Sequence, residues 1–218
     1  MTAAGADLLF DGPDDAALTV VLAHGAGAPM NTPFLNTVAR GLAADRVRVA
    51  RFEFPYMRAR RQETGRDSVR GLAGRGAPDR EPILRNAWKE VVEELGGGER
   101  LVIGGKSLGG RIASMVADEV GARGLVCLGY PFHPPGRPEK LRTKHLETLS
   151  TPALVVQGTR DPFGTPEDVA GYRLSPAIRV VWLEDGDHSW KPRASSGRTE
   201  AQNMAEALTA FRAFLATL

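Results

Sequence analysis

Three side chains that together can cleave an acyl bond stand at separate points of the sequence, each after an apolar run. Ser107 is the centre of a G-x-S-x-G pattern, Gly105 to Gly109, and Asp161 and His188 follow later runs in that order. A serine hydroxyl is a poor nucleophile at neutral pH unless a base takes its proton and an acid orients that base. The residue types and their order therefore indicate acyl transfer, with Ser107 as nucleophile, His188 as base and Asp161 as orienting acid.

The G-x-S-x-G pattern lies between an apolar, strand-like run and an amphipathic helical pattern. This context is typical of a sharp strand–turn–helix elbow, where a side chain at either glycine would collide with the neighbouring strand or helix. Two alternatives remain open. Gly105-Lys106-Ser107 resembles the end of a phosphate-binding loop, although that pattern requires glycine where this chain has Arg100. The second alternative is a purely structural glycine turn.

Four histidines compete for the role of base. His188 is favoured because it follows a strand end and comes after the acid in the chain. His133 lies in the proline-rich loop 131–135 and is expected in a pocket wall or in contact with substrate. His145 is expected on a solvated helical face, and His24 precedes the first helix.

Three aspartates compete for the role of acid. Asp187 is adjacent to His188, so its side chain should point away from the imidazole. Asp161 comes from the preceding strand end and can reach across, so it is favoured over Asp185.

An acyl-transfer site also needs N–H donors for the developing oxyanion. The N–H of Leu108, directly after the serine, is one. The turn at positions 24–27 should supply the other, from Ala26 first and Gly27 next, unless its glycines only turn the chain. The residues expected beside the substrate are His24, Gly27, Lys106, His133, Arg58 and Trp190.

Short apolar runs alternate with helical patterns along most of the chain. Apolar residues recur at helical spacing over 84–95 and 204–215, and Thr32-Pro33 has the residue types of a helix start. Continuous apolar strands between amphipathic helices indicate an α/β fold, with a mostly parallel central sheet, helices on both faces and functional residues at the carboxyl ends of the strands. We expect a single domain over residues 1–218 with no large cap domain. The predicted strands are Leu18–Leu22, Arg46–Phe54 (nearer the sheet edge), Leu101–Gly104, Leu125–Leu128, Ala153–Val156 and Val180–Leu183.

The composition is that of an ordinary globular protein, with 42% hydrophobic and 25% charged residues among 218 and a formal net charge of +2. This balance gives no case for a nucleic-acid partner, and no uncharged apolar run approaches the roughly 18 to 20 residues that cross a bilayer. Met1–Phe10 has Asp7 inside it and no basic start, so we expect no signal peptide, no membrane partner and a cytoplasmic location. The single cysteine, Cys127, permits no internal disulfide and is expected to be a small buried hydrophobe.

Residues 56–80 form a long stretch with little apolar periodicity, longer than the about 12 to 15 residues at which a loop calls for an explanation. One interpretation is a solvated surface loop. The other is a small lid or rim that receives an anionic acyl or thioester substrate. The stretch contains seven arginines, namely Arg58, Arg60, Arg61, Arg66, Arg70, Arg75 and Arg80.

Five motifs together resemble the small dienelactone-hydrolase-like α/β-hydrolases, in particular the group that includes testis-expressed protein 30 and the hydrolase-like part of a nonspecific-lethal-complex subunit. The resemblance extends from Leu18 to the C-terminal helix and implies Ser107, Asp161 and His188 as a catalytic triad. Dienelactone hydrolases proper carry cysteine at the elbow, where this chain has serine, so their substrate is not carried over. The motifs are HGAGAPM from His24, GGKSLGGR from Gly104, GYPFHPPGRPEKLR from Gly129, QGTRDPFG from Gln157 and GDHSWKP from Gly186.

These observations predict a serine hydrolase that cleaves an ester-like acyl bond through an acyl-enzyme intermediate, without a metal or organic cofactor. Carboxylesterase or thioesterase activity is expected on a small-molecule ester or acyl substrate, with an anionic substrate among the candidates. Esterase, thioesterase and peptidase share this triad and differ in pocket shape. The alternative is a non-catalytic binding or scaffold module with the same fold.

Overall fold

The computed structural model describes residues 7–64 and 77–218, and the strands of this part form one seven-stranded sheet. In chain order the strands are β1 (Leu9–Asp11), β2 (Thr19–Ala23), β3 (Arg48–Phe52), β4 (Leu101–Lys106), β5 (Gly124–Leu128), β6 (Ala153–Gly158) and β7 (Ile178–Leu183). Their order across the sheet is β1-β3-β2-β4-β5-β6-β7. Only β1 runs antiparallel to its neighbour, so the carboxyl ends of the six parallel strands, β2 to β7, meet at one edge.

Helices cover both faces of the sheet, as predicted. They are α1 (Pro33–Ala43), α2 (Pro55–Thr64), α3 (Glu81–Glu94), α4 (Leu108–Ser114), α5 (Pro166–Ala170) and α6 (Glu200–Leu215). Helix α1 begins at the predicted point, because the hydroxyl of Thr32 accepts a hydrogen bond from the Leu35 N–H at 3.3 Å. No helix within the described ranges is both long enough and apolar enough to cross a membrane.

The buried apolar side chains form one cluster on each face of the sheet. On one face, α1 and α6 pack on the strands through residues such as Leu35 and Phe211. On the other face, α2, α3 and α4 pack through residues such as Met57, Trp88 and Ile112. The sheet is thus held from both sides, which fixes the loops at its carboxyl edge. The predicted α/β fold with a mostly parallel sheet is confirmed, and residues 7–64 and 77–218 contain no large cap domain.

Strand β1 was not predicted, because it has only three residues and both Leu9 and Phe10 are exposed. Its presence changes the environment of β3, which lies next to the edge strand. Arg51 of β3 is 3% exposed, and its guanidinium donates to Asp11 of β1 at 2.5 Å and to the side chain of Asn36. Arg51 of the predicted strand 46–54 therefore takes part in a buried ion pair.

The arginine-rich stretch is not one irregular loop, because its first part is helix α2. Arg61 on this helix forms ion pairs with Asp7 at 3.1 Å and with Glu53 at 3.3 Å. The guanidinium of Arg60 lies 5.1 Å from the centre of the Tyr56 ring. Arg66, Arg70 and Arg75, and with them residues 65–76 of the predicted loop or lid, lie outside the described residues.

Candidate active site

Ser107 lies at a strained turn between β4 and α4. Its φ and ψ are 49° and −110°, a conformation that costs energy for a residue with a side chain. A Cβ at Gly105 would lie 2.1 Å from the backbone oxygen of Ala23, and a Cβ at Gly109 would lie 2.4 Å from the same atom. The two glycines are therefore needed because β2 passes directly behind the elbow, as the sequence pattern predicts.

Asp161 is fully buried just beyond the end of β6, and three hydrogen bonds fix its carboxylate. Its Oδ2 lies 2.7 Å from Nδ1 of His188 and accepts a bond from Nε2 of Gln157 at 2.9 Å. Its Oδ1 accepts the backbone N–H of Phe163 at 2.9 Å. A carboxylate held in this way can orient the imidazole of His188.

The two rival aspartates have other partners. Asp185 forms ion pairs with Arg160 at 2.9 Å and with Arg193 at 2.5 Å, and the hydrogen bonds from Arg193 lower the pKa of Asp185 to about 2. Asp187 accepts the backbone N–H groups of residues 189 and 191, which closes the turn that carries the histidine. Neither aspartate is hydrogen-bonded to His188 in the described part of the chain.

His188 comes from β7, so its loop must cross the ends of β6 and β5 to approach the elbow on β4. Gly129, directly after β5, makes this crossing possible, because its φ is 70° and a Cβ there would lie 3.0 Å from the His188 carbonyl oxygen. Nζ of Lys106 donates to that same oxygen at 2.5 Å. Within residues 7–64 and 77–218, no hydrogen bond joins the Ser107 hydroxyl to His188; such contacts commonly tighten when substrate binds.

A cavity of about 400 Å³ opens at the elbow. Ala26, Ser107 and Leu108 line one part of it, and Leu84 and Phe163 contribute apolar wall. The Phe163 ring also packs against the His188 imidazole, with 4.3 Å between ring centres. Phe163 therefore links the cavity that holds the serine to the histidine.

Two backbone N–H groups at this cavity are available as donors. The Leu108 N–H opens α4 and has no acceptor within its own helix. The Gly27 N–H already donates to the Tyr56 hydroxyl at 3.4 Å, whereas the Ala26 N–H has no hydrogen-bond acceptor among the described residues. This difference favours Ala26 over Gly27 as the second donor.

Comparison with known proteins gives the same fold. Residues 16–216 match the family model described as an alpha/beta hydrolase domain. The chain belongs to this α/β-hydrolase family. The match spans the elbow and both loops that carry Asp161 and His188.

Solved structures of other α/β-hydrolases are similar over almost the whole chain. An α/β serine hydrolase homologue from Coxiella burnetii has 18% identity and a TM-score of 0.66, covering 93% of this chain and 88% of its own. A dienelactone hydrolase from Anabaena variabilis has 19% identity and a TM-score of 0.66, covering 94% and 90%. An α/β serine hydrolase without a lid, from Xanthomonas campestris, has 18% identity and a TM-score of 0.64, covering 96% and 88%. At these identities the similarity concerns the fold.

His24 does not contact the cavity of this α/β-hydrolase, although the sequence suggested a substrate contact. It has no exposed surface, its Nδ1 lies 2.7 Å from the Gly25 carbonyl oxygen, and its Nε2 accepts the Phe54 N–H at 3.1 Å. Burial lowers the pKa of His24 to about 4, so the ring is neutral. Its role is to hold the turn at Ala26 against the backbone that follows β3.

Trp190, also expected beside the substrate, is buried and is not part of the cavity lining. It is 1% exposed, its ring packs on Phe34 with 4.7 Å between centres, and its carbonyl oxygen accepts a bond from Asn203 at 2.7 Å. These contacts anchor the loop that carries His188 in the core.

The other predicted substrate contacts lie away from the cavity lining. His133 is buried, with Nδ1 3.0 Å from the Pro134 carbonyl oxygen and Nε2 3.5 Å from Asp168. Arg58 lies on α2, and the ammonium group of Lys106 contacts the His188 loop. His145, expected on a solvated face, is half-buried, and its Nε2 lies 2.8 Å from the Ser114 hydroxyl.

Sequence reasoning missed four residues that shape the site. Gln157 and Phe163 stand in the motif that carries Asp161, so their position was a usable signal. Arg111 follows Ser107 by one helical turn, a spacing that places both on one face of α4. Arg142 lines the cavity from a loop after β5 and is the last residue of the motif that begins at Gly129, so its position was also a usable signal.

Proposed function

We propose that this α/β-hydrolase is a serine hydrolase that cleaves an ester-like acyl bond, with Ser107 as nucleophile, His188 as base and Asp161 as orienting acid. The observation that carries the proposal is the 2.7 Å contact between Asp161 and His188, on a loop that also contacts Lys106 beside the serine. The motifs of the sequence further support placement in the group that includes testis-expressed protein 30.

The first half of the reaction would move one proton and form one bond. His188 takes the proton of the Ser107 hydroxyl, and the serine oxygen attacks the carbonyl carbon of the ester. The Nδ1 contact leaves Nε2 as the atom that accepts the proton, and Asp161 stabilises the resulting imidazolium. The N–H groups of Leu108 and Ala26 bind the negative oxygen of the tetrahedral intermediate.

The second half would release the acyl group. The intermediate collapses, the imidazolium gives its proton to the leaving alcohol or thiol, and the acyl group stays on Ser107. His188 then takes a proton from water, which attacks the acyl-enzyme. The second intermediate collapses to the free acid, and the imidazolium returns its proton to the Ser107 oxygen. The same N–H groups serve both intermediates.

Two guanidinium groups in the cavity support an anionic acyl group as substrate. Arg111 is paired with Glu81 at 2.9 Å, whereas the half-buried guanidinium of Arg142 has no acceptor among the described residues. The Arg142 backbone is held at both ends, by the Phe132 carbonyl oxygen at 2.8 Å and the Tyr130 hydroxyl at 2.9 Å. A preorganised, unneutralised guanidinium is suited to bind a carboxylate.

Hydrolysis of 4-nitrophenyl acetate tests the proposal. Ser107→Ala should lower kcat on the order of 10⁴-fold or more, because the nucleophile is removed. The matched control is Ser196→Ala, which changes an exposed serine. Turnover that survives in Ser107→Ala would contradict the role of Ser107 as nucleophile. No turnover by the wild type on a panel of oxygen esters and thioesters would favour a non-catalytic binding module instead.

A further inference from the structure

Lys106 places an ammonium group beside the His188 loop, and the reaction proposed above makes no use of it. The residue directly precedes Ser107 at the end of β4. Its Nζ donates to the backbone carbonyl oxygen of His188 at 2.5 Å. The strand that carries the nucleophile is thus bonded directly to the residue that carries the base.

The surroundings of the ammonium group fit it closely. A Cβ at Gly129 would lie 2.8 Å from Nζ of Lys106 and 3.0 Å from the His188 carbonyl oxygen, so a side chain there would displace this contact. The ring centre of Phe34, on α1, lies 5.6 Å from Nζ, within the range of a cation–π contact. Gly129 and Phe34 thus leave space for the ammonium group, and neither has a side-chain donor that could replace it at the His188 carbonyl oxygen.

Three ionisable groups face Lys106. Asp161 follows β6, and Asp187 and His188 follow β7; Phe34 and Gly129, from α1 and the end of β5, do not ionise. Burial lowers the pKa of Lys106 to about 8, while the carboxylates of Asp161 and Asp187 favour its charged form. Lys106 is therefore a cation at neutral pH and loses its proton as the pH rises through about 8.

We infer that Lys106 is a positioning residue, whose ammonium group holds the backbone of His188 beside the elbow while Asp161 sets the angle of the imidazole. With its ring and its backbone both held, His188 has a constrained distance to the Ser107 hydroxyl. Lys106 touches neither substrate nor the reacting atoms. This inference rests on the proposed roles of Ser107 and His188.

The charge of Lys106 has one consequence for the pH dependence. Above about pH 8, loss of the Lys106 proton weakens the contact with the carbonyl oxygen. The wild type should therefore lose activity on the alkaline side near this pH.

Two substitutions separate positioning from a merely structural role. Lys106→Met removes the donor and the charge, and should lower kcat about 10- to 100-fold with a much smaller change in KM, because the base is misplaced. Its alkaline limb near pH 8 should disappear, because the group that titrates there has been removed. Lys106→Arg keeps a cation, so it should recover part of kcat and also lack that alkaline limb. Each rate is divided by the concentration of active sites, which is measured by titration with a fluorophosphonate. The control is Lys144→Met, which changes an exposed lysine.

The inference is overturned if Lys106→Met has the wild-type kcat per active site and the wild-type pH profile. If Lys106→Met does not fold, an alkaline limb near pH 8 that persists in Lys106→Arg overturns it. Failure of the proposed function looks different, because hydrolysis would then persist in Ser107→Ala. In that case the NMR signals of the His188 imidazole decide, and signals that are unchanged in Lys106→Met count against the inference.

Discussion

The two guanidinium groups of the cavity differ in what already neutralises them. The charge of Arg111 is neutralised by its ion pair with Glu81. The other carboxylate of the cavity lining, Asp79, accepts the backbone N–H of Tyr56 at 2.9 Å. Burial and the neighbouring positive charge of Arg111 lower the pKa of Arg142, because both disfavour its charged form. A bound anion would offset this effect. At the residue scale, Arg142 is therefore the side chain that should distinguish charged from neutral substrates.

Arg142→Gln should lower kcat/KM about 10- to 100-fold for an ester whose acyl chain ends in a carboxylate, because a charge-assisted hydrogen bond is lost. The substrates are mono-4-nitrophenyl adipate and its methyl ester, which differ only in that charge. The neutral methyl ester should be hydrolysed at the wild-type rate.

The control for this substitution is Arg137→Gln, an exposed arginine in the same loop. Equal losses on both esters would show that Arg142 supports the loop rather than the carboxylate. An unchanged kcat/KM on both esters would show that Arg142 does not bind the substrate carboxylate, and would contradict the assignment.

At the scale of elements, the elbow depends on how closely α4 approaches β2. Gly109 lies in the first turn of α4, and a Cβ there would meet only backbone atoms, the oxygens of Ala23 at 2.4 Å and His24 at 2.8 Å. Backbone atoms cannot move aside as a flexible side chain can. The same approach sets the spacing between the N–H groups of Ala26 and Leu108.

Gly109→Ala should lower the free energy of unfolding by about 1 to 3 kcal/mol, because the added methyl group overpacks this contact. A helical Gly→Ala change with free space would instead stabilise by roughly 0.4 to 1 kcal/mol. Urea unfolding measures the difference. Gly171→Ala, whose Cβ would have its nearest neighbour at 3.5 Å, is the matched control. A Gly109→Ala variant as stable as Gly171→Ala would refute the close approach.

At the scale of the whole molecule, the order of the strands brings together residues from distant parts of the sequence. Ser107, Asp161 and His188 follow β4, β6 and β7, whose carboxyl ends share one edge of the sheet. The crossing over β5 at Gly129 lets the loop after β7 approach the elbow. This arrangement depends on sheet order rather than on any local motif.

Much of this arrangement was predictable from the sequence, because apolar runs mark the parallel strands and the glycines mark the elbow. The site residues that the structure places outside the cavity lining include two that stand within the quoted motifs. His24 and Trp190 stand beside functional residues but are buried in backbone and core contacts, which local sequence does not reveal. Strand β1 is too short to show a pattern. Arg111 and Arg142 line the same cavity because the loop after β5 folds over α4. No spacing in the sequence predicts that these two side chains lie close together.

The most direct test of the central claim is the mass of the intact protein after reaction with a fluorophosphonate, followed by mapping of the modified peptide. A serine made nucleophilic by His188 should give one adduct per chain, on Ser107. The adduct should be absent in Ser107→Ala and greatly slowed in His188→Ala. No adduct on the folded wild type, or an adduct on Ser107 that forms equally fast without His188, would contradict the account.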